Sequence, residues 1–68
     1  MTGAKLTSAR QRAKISLRAL AARAGISLSY LADLEKGRRT GAKAQAQLDR
    51  VAVVLREMIA VKKAKARP

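Results

Sequence analysis

Apolar residues recur every three or four positions along much of this chain, which is the spacing that places them on one face of an α-helix. Two neighbouring segments show the pattern most clearly. Their apolar residues are Leu20, Ala21 and Ala24 in the first segment, and Ile26, Leu31 and Leu34 in the second. Because such a face must be covered, the pattern predicts two short helices that pack against the rest of the chain.

The boundary between these two helices is marked by residues that end and start helices. Gly25 adopts a left-handed backbone conformation at low cost and can end the first helix. Ser27 can cap the second helix with its hydroxyl, and we expect that helix at residues 28–36, ended by Gly37. Two helices this short, joined by a glycine-containing turn, form a helix-turn-helix unit.

One helix is predicted before this unit. Leu6, Ala9, Arg10 and Ala13 occupy neighbouring positions on a helical surface, which indicates a first helix over residues 5–13. Residues 1–4 have no periodic pattern and are interpreted as a frayed start.

A longer helix is predicted after the unit. Neither Gly nor Pro interrupts residues 42–63, so we predict one helix there. Its stripe of Leu48, Val51, Ala52 and Leu55 is expected to close the core over the first three helices. The predicted fold class is therefore all-α, a small helix-turn-helix bundle of four to five helices with a long C-terminal helix.

The central stretch resembles the phage repressor/Cro-type (lambda-repressor-like, XRE) helix-turn-helix family. The likeness lies in the apolar anchors, in the small residue Ala21 and in the turn residue Gly25. The run Glu35-Lys36-Gly37-Arg38-Arg39 also resembles the acidic residue, glycine and basic run that follow the second helix in that family. The resemblance covers residues 6–55. It implies a double-stranded DNA-binding transcriptional regulator, which we expect to be a repressor, with residues 28–36 in the major groove.

The resemblance also implies a buried ion pair between Arg10 and Glu35. A cation on the half-apolar side of the first helix is costly unless an acid meets it. The alternative is a solvated surface pair, which is common and weak.

The resemblance implies that bases are contacted from the second helix of the unit, where the base-reading positions of the family and their neighbours fall. They are Leu28, Ser29, Tyr30 and Asp33. None is Arg, Asn or Gln, so we expect shallow sequence reading and a contribution from DNA shape. Asp33 could accept a hydrogen bond from a cytosine amino group or orient a neighbouring arginine. Tyr30 could equally contact the DNA or pack its ring across the junction with the next helix.

A larger set is expected to contact phosphate, because it lies at helix starts, on outer helix faces and in the basic loop. The set is Ser16, Leu17, Arg18, Arg23, Ser27, Lys36, Arg38, Arg39, Thr40 and Lys43. Many relatives carry glutamine at the Leu17 position, and leucine cannot copy its hydrogen bonds. Arg18 and Arg23 are equally well explained as solvated helix charges.

A second apolar stripe on the last helix extends beyond the part that so small a core can cover. It consists of Val54, Met58 and Val61, with Ile59 at its edge. We expect a homodimer interface here; the alternative is that the stripe folds back on its own domain. A rival function uses the same helix to bind another protein, as an antitoxin or an inhibitor of a regulator does. A cationic helix on a membrane surface is disfavoured, because aromatic anchors are absent.

Composition narrows the function further. The 68 residues allow one domain, expected at 1–61 with the dimerisation helix included, followed by a basic and disordered tail at 62–68. Sixteen Lys and Arg against four Asp and Glu give a net charge of +12, which favours a polyanionic partner over a role in solubility alone.

Other features of the composition argue against catalytic activity and against binding to a membrane. The absence of His and Cys argues against a zinc site, a cofactor and an enzyme. With no apolar stretch of about 20 residues, we expect no membrane partner. The chain should be soluble and cytoplasmic, bacterial or phage-encoded, and nucleoid-associated.

Overall fold

The chain folds into helices joined by short turns. The structure, a computed structural model, describes the backbone of residues 2–66 and the side chains of residues 2–64. The helices are α1 (Gly3–Arg12), α2 (Leu17–Ala24), α3 (Leu28–Lys36) and α4 (Ala42–Ala66). The prediction of an all-α fold with a long C-terminal helix is confirmed. None of the helices in the described part is long and apolar enough to cross a bilayer.

The ends of α2 and α3 are fixed by their own sequence. Ser16 and Ser27 each accept a hydrogen bond on Oγ, at 3.0 Å, from the backbone N–H three residues later. Gly25 and Gly37 follow the last residues of these helices with φ of 71° and 75°. Residues with a side chain seldom adopt that left-handed conformation, so glycine is favoured where each helix stops.

The start of α1 differs from the expected frayed segment. Thr2 Oγ1 accepts a hydrogen bond from Lys5 N–H at 3.2 Å, and the helix begins at Gly3. Gly3 lies directly against the end of α3: a Cβ built on it would be 2.6 Å from the carbonyl oxygen of Glu35 and closer still to that of Leu34. The prediction for residues 2–4 was therefore wrong, because a cap and a tertiary contact order them; Met1 lies outside the described residues.

The core lies where α1, α2 and α3 meet the first half of α4. Its largest side chains are each at most 2% exposed: Leu6, Leu20, Leu31, Leu34, Val51 and Leu55. The predicted closing stripe of α4 is buried, as expected. Because α1 and α2 both pack on α3, one side of α3 is held inside and the other side is left open.

The end of α4 also differs from the expectation. The helix continues to Ala66, and Lys62 Nζ donates a hydrogen bond to the Ala13 carbonyl at 2.6 Å. A cation at the C-terminal end of α1 satisfies a carbonyl and suits the helix dipole. Residues 62–66 are thus helical rather than a disordered tail, and Arg67 and Pro68 lie outside the described residues.

Candidate nucleic-acid interface

The outer side of α3 begins with small and apolar residues. Leu28 is 40% exposed although it is apolar, and Ser29 beside it is exposed. Asp33 lies one turn after Ser29, so the two share a face, and its side chain is 29% exposed. The structure thus places Ser29 and Asp33 on one face of α3, with Leu28 exposed about 100° around the helix from Ser29.

The loop after α3 carries the densest positive charge near this face. Arg38, Arg39 and Thr40 are exposed between the end of α3 and the start of α4, and Lys43 is exposed in the first turn of α4. A shallow groove forms where the loop meets the two helices. It is lined by Tyr30, Arg39, Thr40, Lys43 and Ala44. Four of the residues expected to contact DNA are therefore adjacent in space.

Asp33 connects the helix face to this loop. Its Oδ1 lies 3.8 Å from Arg38 Nη1, and its Oδ2 lies 3.7 Å from Arg39 Nε. Both separations are longer than the 2.7–2.9 Å of a direct charge-assisted hydrogen bond. The carboxylate therefore attracts both guanidinium groups without binding either tightly.

Tyr30 lies at the edge of the helix face, next to the loop. Its side chain is half-buried and packs against the core, and Arg39 Cζ is 5.5 Å from the centre of its ring. A guanidinium within about 6 Å of an aromatic ring is a cation–π contact. Of the two expectations for Tyr30, the structure has the ring packed at the junction of α3 and α4.

The start of α2 supplies a second part of the surface. Arg18 is exposed just after the Ser16 cap. Leu17 is half-buried against the core and lines a groove with Lys36 of α3, which is itself exposed. Leu17 thus packs against the core and gives this groove an apolar side.

Arg23 lies in different surroundings from the other expected phosphate ligands. It lines an apolar depression formed with Ile15 and the second half of α4, near Met58 and Lys62. Met58 follows Lys43 by fifteen residues, which is about 22 Å along the helix. Arg23 is therefore far from the basic loop.

Arg10 and Glu35 form a nearly buried ion pair beneath this surface. Arg10 Nε and Nη2 donate to Glu35 Oε2 and Oε1 at 2.8 and 3.0 Å, and the side chains are 13% and 7% exposed. Arg10 Nη1 also donates to the Ile15 carbonyl at 3.0 Å. The pair joins α1, the α1–α2 linker and the end of α3, so it fixes α3 from behind.

Two supporting residues escaped the sequence reasoning. The Thr7 hydroxyl lies 2.9 Å from Glu35 Oε1 and can donate to it. Arg50 of α4 donates through Nη2 to the Ala24 carbonyl at 2.8 Å, beside the turn between α2 and α3. The contact of Thr7 with Glu35 could have been predicted only from the position of Thr7 one turn before Arg10. No local pattern in the sequence predicts the contact of Arg50 with Ala24.

The second apolar stripe of α4 is partly covered by its own domain. Val54, Met58 and Ile59 are half-buried against the core, whereas Val61 is 49% exposed. Val53, which the pattern did not single out, is 51% exposed. A strip of Val54, Met58 and Val61 thus remains partly open on α4, and Val53, about 100° around the axis from Val54, lies outside it.

No three residues of the metal-ligating types come together in the described part of the chain. Two of its carboxylates, Glu35 and Asp33, lie instead close to arginine side chains.

Comparison with known proteins adds the family. Residues 3–60 match the family described as Helix-turn-helix domain, which is most of the chain. No curated protein and no solved structure matches. The match spans α1 through most of α4, including the two capped helices and their glycine turn. The chain belongs to the helix-turn-helix domain family, and this membership indicates DNA as its partner.

Proposed function

We propose that this protein is a transcriptional regulator that binds double-stranded DNA with α3 in the major groove. The observation that carries the proposal is the open side of α3 ending at a loop with two exposed arginines. The major groove admits an α-helix, and the first residues of a recognition helix meet base edges. This proposal agrees with the XRE-type resemblance and with a net charge of +12.

Phosphate contacts are expected on both flanks of α3. Arg38, Arg39 and Lys43 supply one flank, next to the exposed amides at the start of α4. Arg18 and the capped start of α2 supply the other. Contacts on two flanks fix the orientation of α3 in the groove.

Base reading in this proposal is weak. Leu28 can touch a thymine methyl group, and Ser29 can donate or accept a hydrogen bond. Neither makes the bidentate contact that discriminates strongly between base pairs. We therefore propose that DNA shape and deformability contribute much of the sequence preference.

The regulator is proposed to act as a dimeric repressor in the cytoplasm, on the nucleoid. Pairing of α4 helices through Val54, Met58 and Val61 would present two copies of α3 about 34 Å apart, as a palindromic site requires. Occupancy of the site by the dimer blocks polymerase without a further domain.

The test combines selection of bound DNA from a random pool with a salt titration on the selected duplex. With about six phosphates neutralised, log affinity should fall with log salt at a slope of roughly −5. The variant Arg38→Gln/Arg39→Gln should flatten that slope by about two.

The matched control for that variant is Arg56→Gln/Lys63→Gln, which removes the same two charges at exposed positions in the second half of α4 and should leave the slope nearly unchanged. Absence of DNA binding at low salt would contradict the proposal, and so would equal slopes for the two variants.

A second candidate function is a protein-interaction module, such as an antitoxin or an inhibitor of another regulator. The observation that favours it is the open apolar strip on α4 with Val61 half exposed. Tight protein binding together with a flat salt dependence on DNA would support this alternative.

A further inference from the structure

Within the described residues, the proposed DNA-facing surface contains one carboxylate, that of Asp33, among neutral and cationic side chains. Among the acids in the described residues, Glu35 is held by Arg10, and Asp49 and Glu57 lie on α4. Asp33 alone lies on the open side of α3, where it repels phosphate. The same carboxylate lies between the two arginines that are proposed to bind phosphate.

We propose that Asp33 is a positioning residue that takes the place of a phosphate in the free protein. It holds the guanidinium groups of Arg38 and Arg39 beside α3 and gives them up when a duplex binds. The exchange of one anion for another lowers the affinity for DNA of any sequence. This inference rests on the proposed function.

The geometry suits exchange rather than permanent pairing. The two arginine side chains are 69% and 57% exposed, and both lie 3.7–3.8 Å from the carboxylate. Pairs this exposed are weakly held, so a phosphate can replace the carboxylate. Arg39 also rests over the Tyr30 ring, which keeps it at the edge of the groove it shares with Thr40 and Lys43.

The experiment is a mutant cycle read out as affinity for several unrelated duplexes. Asp33→Asn should bind all of them about threefold to tenfold more tightly than the parent, from the loss of two exposed pairs. In the Arg38→Gln/Arg39→Gln background the same Asp33→Asn change should have much less effect, because no arginine remains to be released.

A matched control is Glu57→Gln, which changes the net charge equally but lies in the second half of α4. It should alter affinity less than Asp33→Asn does. If Asp33 acted only through its general charge, Asp33→Asn would increase DNA affinity by the same factor with and without the two arginines. That additive result would overturn the inference. A gain confined to one duplex sequence would also overturn it, since it would indicate base reading.

A measurement without DNA separates this inference from the proposed function. The Nε–H signals of Arg38 and Arg39 in ¹H–¹⁵N spectra should shift in Asp33→Asn and stay in place in Glu57→Gln. Unmoved signals would overturn the inference even if the parent binds DNA. Shifted signals in a protein that does not bind DNA would support the pairing while refuting the proposed function and the exchange.

Discussion

The Arg10–Glu35 pair holds the end of α3 against α1 and the linker between α1 and α2. Glu35→Ala would leave the guanidinium of Arg10, which is 13% exposed, with only the Ile15 carbonyl. Breaking a nearly buried pair in this way should lower the free energy of unfolding by ~3 kcal/mol. In a domain of this size that is roughly a 15 °C fall in Tm, measurable in a thermal or urea melt.

Two further variants control this prediction. Replacing both partners, as Arg10→Met/Glu35→Leu, should cost less than Glu35→Ala, because no desolvated charge is left alone. Glu57→Ala, at an exposed position, should change stability by at most about 0.5 kcal/mol. Equal stability of Glu35→Ala and the parent would show that the pair contributes nothing.

Gly3 is a second residue with a testable role. A Cβ there would meet the backbone carbonyls at the end of α3, 2.6 Å away at Glu35, and these cannot rotate aside as a side chain can. Gly3→Ala should therefore destabilise the fold by about 1–2 kcal/mol, despite alanine's higher helix propensity. The measurement is a urea melt with Ala4→Ser, an exposed neighbour, as the control; a gain in stability for Gly3→Ala would contradict the close approach.

At the scale of elements, sequence reasoning worked best where the information is local. The bounds of α2 and α3 follow from a serine cap at one end and a glycine at the other, all within a few residues of the helix. The buried stripe of α4 from Leu48 to Leu55 was equally predictable, because a helix with one buried face has apolar residues every three or four positions.

The remaining features depend on contacts between distant segments. The start of α1 combines a local cap at Thr2 with the close approach of Gly3 to the carbonyls of α3, and the contact from Lys62 of α4 to Ala13 joins residues 49 positions apart. Coverage of Met58 depends on how far α1 and α2 extend beside α4. The candidate site also combines predictable and unpredictable features. Its residues could be predicted from the sequence, but the contacts that join Asp33 to Arg38 and Arg39 could not.

For the whole molecule, the exposed strip of α4 predicts that two copies act together. We expect a dimer in sedimentation experiments at micromolar concentration, paired through the exposed strip of α4. Val61→Lys should shift the protein toward monomer, because Val61 is 49% exposed and lies on the same face as Val54 and Met58. A charge buried in that interface is costly.

Val53→Lys is the matched control for this prediction. Val53 is 51% exposed on the same helix but about 100° around the axis from Val54. The Val53→Lys variant should remain dimeric, and the DNA selected by it should show the same half-site spacing as DNA selected by the parent. A parent protein that is strictly monomeric, with no repeated half-site, would refute the dimer.

The bond between Lys62 and the end of α1 restricts how this chain can change in length. Each residue of α4 advances the helix by about 100°. One amino acid inserted between Leu55 and Met58 would therefore rotate Met58 off the core and swing Lys62 away from Ala13. Insertions or deletions of about seven or eleven residues nearly restore the rotation, although they shift the later residues along the axis. Descendants of this sequence should therefore accept substitutions in this stretch far more readily than any insertion or deletion.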